Sequence, residues 1–253
     1  IVPFLWQVVT SLKPEAELTS LPPILPTYYT FNHYLSIFKG HPFLRIIINS
    51  VVVAGFSTIL SLIIGSLAAF SMARLEIKGK GVILGLVLSV SMFPAIATVG
   101  PIYIIIRALG LRDTWWALIV TYTTFSLPIT IWVLTNFFKE IPHELYLASR
   151  IDGCTNLQFF YKILLPLSAP GLLATAILVF IFSWNEFLFA LTFTSTVAAR
   201  TIPVEIALFP GLHEIPWGDI AAASVIVTIP LILLVFVFQR RIVEGLTAGA
   251  IKG

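Results

Sequence analysis

Three stretches of this chain, Ile46 to Ala73, Gly81 to Ile106 and Thr114 to Phe138, contain no Asp, Glu, Lys or Arg at all. A helix rises 1.5 Å per residue, so roughly 20 apolar residues cross about 30 Å of hydrocarbon. Two further segments qualify: one from about Leu167 to Phe193, in which Glu186 is the only charge, and Ile220 to Gln239. Ile1 to Leu12 is apolar but too short to span. It is expected to be the end of a first helix truncated at its N-terminus. It does not read as a signal peptide, because no basic flank precedes it and Lys13 and Pro14 follow in place of a small-residue cleavage site. Lipid leaves backbone polar groups no partner outside the chain, and runs of this length satisfy them as helices. The expected fold is therefore all-α: a polytopic membrane protein of six transmembrane helices forming a single domain over residues 1–253. Composition agrees, since 58% hydrophobic residues, 11% charged residues and a mean hydropathy of +1.00 exclude a soluble domain of this length. The net charge of +3 belongs to the loops of such a protein and gives no reason to expect nucleic acid. A lone cysteine, Cys154, excludes an internal disulfide framework and a cysteine-based zinc cluster.

Orientation follows from the positions of Lys and Arg in short loops. If the first segment exits the cell, one side carries Arg74, Lys78, Lys80, Lys139, Arg150, Lys162, Arg240, Arg241 and Lys252. The other carries Lys13, Lys39, Arg45, Arg107, Arg112 and Arg200. Five acids accompany the first group (Glu76, Glu140, Glu144, Asp152, Glu244) and six the second (Glu15, Glu17, Asp113, Glu205, Glu214, Asp219). The more basic side is expected to be cytoplasmic. This places residues 139–166 and a 240–253 tail inside, and leaves 13–42 and 194–219 as outer segments that can receive a ligand or a carrier.

The 139–166 interruption, KEIPHELYLASRIDGCTNLQFFYKILLP, has its own folding instructions. Pro142 suits a first helical turn, where its missing N–H costs nothing, and Glu144 complements the positive end of the dipole. Asp152-Gly153 stops that helix, because glycine takes the left-handed conformation that closes a C-terminus. Thr155 with Gln158 is a capping-box pattern for a second short helix, which Pro166 is expected to end. Helix, tight turn, helix is the reading. Leu145, Leu147, Phe159, Phe160 and Ile163 are more apolar than a solvated loop needs, so the segment either packs on its own domain or seats in a partner's groove.

These residues resemble a known family. Leu147-Ala148-Ser149, then Asp152-Gly153, then Ile163, Leu165-Pro166 and Pro170, match in spacing the cytoplasmic loop of ATP-binding-cassette importer permeases: Glu-Ala-Ala, three residues, Gly, nine residues, Ile-x-Leu-Pro. Met92-Phe93-Pro94, Trp184-Asn185-Glu186, Trp217-Gly218-Asp219 and the ending Gly245 to Gly253 extend the resemblance over nearly the whole chain. The chain is similar to the second membrane subunit of maltose- and trehalose-type importers, most of all to the mycobacterial trehalose-importing kind. The resemblance implies a bacterial or archaeal plasma-membrane protein that imports a disaccharide, trehalose before maltose. Implied partners are a second, related permease, two copies of a cytoplasmic ATPase, and an extracytoplasmic sugar-binding protein. The loop would be the coupling-helix pair seated in the ATPase, through Leu147, Ala148, Ser149, Asp152, Gly153, Ile163, Leu165 and Pro166. The tail would contact the ATPase through Thr247, Ala248, Gly249, Lys252 and Gly253. Pro210, Gly211 and Trp217 would meet the binding protein. The family's glutamate falls on Leu147 and its second alanine on Ser149, so apolar packing must replace any ion pair there.

Chemistry missing from the chain fits this division. No lysine is followed by Ser or Thr, so a phosphate-cradling loop of the Gly-Lys-Ser/Thr type is absent. No cofactor is expected in this chain; ATP and Mg would act in the partner. His33, His41, His143 and His213 are scattered, and His143-Glu144 lacks the second histidine of a zinc-protease helix, so neither a metal site nor an enzyme is expected. Glu186 is the one ionisable group inside an apolar run, where a carboxylate costs ~2.5–3.5 kcal/mol to insert. Trp184, Asn185 and Glu186 either line a translocation path, with the indole stacking on a sugar, or fasten helices to one another, or Glu186 sits near enough the outer surface to stay wet. Pro94, Pro101, Pro128 and Pro230 are candidate hinges, and Gly81 with Gly85 is a candidate close-packing face. The contrasting reading is a self-contained secondary carrier or channel. Several intramembrane ionisable groups or an internal repeat would mark it, and neither is visible.

Overall fold

The computed structural model describes residues 2–18, 24–40, 42–210 and 215–248, with side chains as far as 238. Among these every regular element is helical. In chain order they are α1 (Val2–Ser11), α2 (Glu15–Leu18), α3 (Asn32–Gly40), α4 (Phe43–Arg74), α5 (Lys80–Val90), α6 (Ala95–Ala108) and α7 (Trp115–Glu140). There follow α8 (His143–Ile151), α9 (Asn156–Leu167), α10 (Ala169–Asn185), α11 (Leu188–Phe193), α12 (Ile202–Ala207) and α13 (Trp217–Ala248).

Among the described residues, three helices are long and apolar enough to cross a membrane, in α4, α7 and Trp217–Phe238 of α13. The number rises to five if each of two bent pairs counts as one span. The expected count of six therefore meets two broken spans. Gly81 to Ile106 is not one helix: α5 and α6 meet at 87° across a break at Ser91 to Pro94. Pro94 takes an extended conformation just ahead of α6, as a residue lacking an N–H does at a helix start. Pro101, Pro128 and Pro230 lie inside continuous helices. The run from about Leu167 to Phe193 is likewise broken. α9 turns by 79° into α10, and α10 ends at Asn185, leaving Glu186 outside the helix.

α4 and α7 form the central pair. Val53, Ser57, Ser61, Gly65 and Ala69 recur every four residues on α4 and are all buried, so the backbones approach closely. At Gly65 a Cβ would lie 2.4 Å from Thr130 Cγ2 of α7. Gly81 and Gly85, expected to be the close-packing face, have nothing within 4 Å of where a Cβ would stand. α10 packs on α4, α7 and α13, and Gly171 lets α10 seat against the Phe137 ring. Among the described residues four apolar clusters follow the bundle from end to end. Phe43 and Ile37 pack with Phe209 and Ala222 at one end, and Phe70 packs with Phe138, Phe159 and Phe160 at the other. The 32 residues of α4 connect these ends across about 48 Å.

Candidate functional site

At the Arg74 end of α4 the chain builds a platform from α8 and α9. Pro142 stands immediately before α8 and Glu144 lies in its first turn. The helix closes with Gly153 at φ 81°, Gly153 N–H donating to Arg150 O (3.2 Å) and Cys154 N–H to Ser149 O (2.9 Å). That pair of reverse bonds satisfies carbonyls the helix would otherwise leave open, and it needs a left-handed residue at this one position. Thr155 and Gln158 exchange both capping-box bonds at the start of α9. Tyr146 ties the helices together, its hydroxyl donating to Asn156 Oδ1 (2.9 Å) and its ring meeting Phe159 edge-on at 5.1 Å.

α9 does not end at Pro166; it continues to Leu167. Ahead of the proline lies a π turn, Phe160–Leu164, in which Leu165 N–H reaches back five residues to Phe160 O. A proline ring crowds the carbonyl four residues earlier and offers no N–H, and a widened turn accommodates both. The turn rotates Phe159 and Phe160 inward, where they pack on Phe70 with ring centroids 6.3 and 5.4 Å away. The Arg74 guanidinium donates to the carbonyls of Phe138 and Ile141, capping the end of α7 beside the platform.

The apolar residues of the interruption thus divide between two surfaces. Phe159 and Phe160 belong to the chain's own core, and Ile163 and Leu165 pack partly against it. Ser149 is buried and donates to Tyr146 O. Leu147, Ala148, Asp152, Gly153 and Pro166 are exposed. With them stand Ile151 (87% exposed), Leu157 and Tyr161, which the motif match did not single out. The i, i+4 relation of Leu147 and Ile151 on one helix was the available signal. The result is an exposed, largely apolar face on a helix pair held by the bundle.

The Trp184-Asn185-Glu186 trio is dispersed. Trp184 is buried among Ile46, Ala54 and Ile202 and stacks on Phe180 at 5.5 Å, so its ring presents no open face for a sugar. Asn185 is exposed, and its amide donates to Ile181 O (2.8 Å) at the end of α10. Glu186 accepts from the backbone N–H groups of Phe189 (2.9 Å) and Ala190 (3.1 Å), so its charge faces the N-terminus of α11. The Tyr122 hydroxyl is buried and has no hydrogen-bond partner among the described residues.

At the Phe43 end, residues 194–202 form a strap tied to α4. Asn49, fully buried, donates to Val197 O (3.0 Å) and Arg200 O (2.9 Å) and accepts from Trp115 Nε1 (3.0 Å). Ser50 Oγ accepts from Ile202 N–H, and Arg200 pairs with the buried Glu205 at 2.9 Å. Asp113 accepts from Ser195 N–H, Thr196 N–H and Thr196 Oγ1. Burial pushes the Asp113 carboxyl up, but those bonds and nearby Arg112 outweigh it and hold it below the ordinary aspartate range. Sequence reading missed the Asn49, Ser50 and Asp113 anchors, because each acts across a separation that a linear motif does not record. Pro210 is exposed and Trp217, 52% exposed, opens α13. Gly211, Gly249, Lys252 and Gly253 lie outside the described residues, as do the side chains of Thr247 and Ala248, whose backbone continues α13. No three His, Cys, Asp or Glu side chains cluster as a metal site among the described residues.

Residues 61–247 match the family described as "Binding-protein-dependent transport system inner membrane component". The chain is 46% identical, over its whole length and 93% of the relative's, to the trehalose transport system permease protein SugB of Mycobacterium tuberculosis. It is 43% identical to the trehalose/maltose transport system permease protein MalG of Thermococcus litoralis, covering all of this chain and 92% of that one. To the sulfoquinovosyl glycerol transport system permease protein SmoH of Agrobacterium fabrum it is also 43% identical, covering 89% of that relative. Its fold matches a chain from the crystal structure of a bacterial ABC transporter that imports the acidic polysaccharide alginate, at TM-score 0.78 and 23% identity over 94% of this chain and 89% of that one. With long apolar helices, a helix-pair platform and full-length similarity to transport permeases, the chain belongs to the family of binding-protein-dependent transport system inner membrane components, as a multi-pass membrane transport subunit.

Proposed function

We propose that this chain is one of two unlike membrane subunits of an ATP-driven importer for a disaccharide, trehalose first and maltose second. A sugar-binding protein delivers the substrate at the Phe43 end, and two copies of a cytoplasmic ATPase dock at the α8–α9 end. ATP and Mg act in that ATPase and not in this chain. The observation that carries the assignment is the exposed face of Leu147, Ile151 and Leu157 on a platform whose other face is locked into the bundle. A loop that packed only on its own domain would bury those side chains; a groove in a partner supplies what lipid and water do not. Because the fixed face is continuous with α4 and α7, a push on the platform moves the spans with it. The substrate class is supported by full-length similarity to permeases for trehalose and for trehalose/maltose.

The same reading puts residues 139–166 and the tail in the cytoplasm, in keeping with the bias of basic residues. Thr247 to Gly253 then lie against the ATPase. Pro210, Gly211 and Trp217 face the binding protein, and Asn185, exposed at the end of α10, is the member of its trio available to a path.

Purification of the tagged chain from native membranes tests the whole reading. A stoichiometric ATPase and a second permease should accompany it, and ATP hydrolysis should rise with trehalose or maltose plus the binding protein. A chain that purifies alone and still transports would be a self-contained carrier, and the reading would fall.

A further inference from the structure

The Phe43 end carries a cleft that the coupling mechanism does not use. It measures about 820 Å³ and lies between the α2–α3 region and the start of α13. Sites for small molecules span roughly 300–1,000 Å³, so one or two sugar rings fit. His33 and Asp219 lie at its base. His33, buried, is held through both ring nitrogens, Nδ1 2.8 Å from Asp219 Oδ1 and Nε2 3.0 Å from Lys13 O. Ser36 Oγ donates to Asp219 Oδ2 (2.9 Å), and Gly218 has no Cβ where one would come within 2.3–2.5 Å of the His33 ring. This base joins segments far apart in sequence.

Above it the lining mixes two exposed aromatic side chains, Tyr28 (62% exposed) and Trp217 (52%), with the carboxylate of Glu15 and the amide of Asn32. Among the described residues no Lys or Arg lines the cleft, so they offer no cationic side chain to neutralise a phosphate or carboxylate ligand. The Asp219 charge is already met by His33 and Ser36, so the cleft does not present paired free carboxylates to a cation. Aromatic faces suit the C–H face of a pyranose, and an acid beside an amide suits hydroxyl groups, which both donate and accept. From this combination we propose that the cleft is a saccharide-binding site, taking a neutral sugar against Tyr28 and Trp217 with Glu15 and Asn32 bonding its hydroxyls. The choice of a disaccharide as its ligand rests on the function proposed above. The site would hold sugar on this chain itself, at the end where the binding protein unloads.

The test uses the assembled complex in nanodiscs, labelled with 5-fluorotryptophan and without binding protein. The Trp217 resonance is assigned by its loss in Trp217→Phe. Trehalose or maltose should shift that resonance saturably, and Tyr28→Ala or Glu15→Gln should each weaken the response by about tenfold, with basal ATP hydrolysis unchanged. A resonance that ignores both sugars would overturn the proposal, as would one that responds to choline or to unloaded binding protein in their place. If the complex imports disaccharide while the resonance never responds, this site falls and the importer reading stands. If no disaccharide is imported, the importer reading falls, and a saturable sugar shift would still support the cleft.

Discussion

Gly153 shows how much a single position can carry. Its φ of 81° is costly for an L residue, by about 1–2 kcal/mol, yet nothing lies within 4 Å of where its Cβ would be. The penalty is backbone strain and not a clash. Gly153→Val should therefore disturb the α8–α9 turn and lower sugar-stimulated ATP hydrolysis, whereas Gly153→Asn, a residue that tolerates this conformation, should retain most of it. Equal activity of both variants with wild type would remove the turn from the coupling route. Asp113 makes a different prediction, through its charge. Its carboxyl titrates lower in the folded chain than in the unfolded one, so its stabilisation is present above the ordinary aspartate value, near 3.9, and is lost as pH falls through the folded value. Thermal unfolding in detergent should show wild type ahead of Asp113→Asn at neutral pH, with the gap narrowing as the medium is acidified below the ordinary aspartate value. A gap independent of pH would mean that the strap is held by geometry alone. Glu186, an N-terminal cap for α11, should behave like other caps: Glu186→Ala should cost about 0.5–2 kcal/mol of stability, and Glu186→Gln, which keeps one acceptor, less. If Glu186→Gln instead abolishes transport with stability intact, the charge acts on the path and not only on the helix.

At the scale of elements, the breaks in the spans matter as much as the spans. A bend of 87° between α5 and α6 and one of 79° between α9 and α10 turn continuous apolar runs into joints. The first joint is set by Pro94. In the second, the π turn ahead of Pro166 aims two phenylalanines at Phe70, which fixes α9 to the bundle before the chain turns into α10. The α4–α7 pair is built for closeness. Gly65→Val would drive a side chain into Thr130, where overpacking of this kind costs typically about 1–3 kcal/mol. Lower yield and a lower unfolding temperature should follow, with partial recovery in Gly65→Val combined with Thr130→Ala. Absence of any loss would mean that the pair slides freely.

Across the whole molecule, two unlike ends are joined by one bundle: an apolar platform at one, a polar strap and cleft at the other. Leu147→Asp with Ile151→Asp tests the platform without touching the core, since both side chains are exposed. The variant should insert and fold normally but lose most ATPase from the purified complex, because two desolvated carboxylates in an apolar groove cost several kcal/mol. Retention of the full complement of ATPase would place docking elsewhere. The sequence alone determined that the chain is helical and membrane-spanning, because charge-free length admits no other solution in lipid. It also determined the helix-turn-helix of the platform, because capping and left-handed glycine are local chemistry, written within a few residues. Only the tertiary structure decided that Phe159 and Phe160 face inward while Ile151 and Leu157 face out, since a hydrophobic residue is equally at home in a core or an interface. It alone buried Trp184 and brought Asn49 to the strap and His33 to Asp219. Those pairings span up to 186 residues of chain, and nothing in the local pattern of either partner encodes the other.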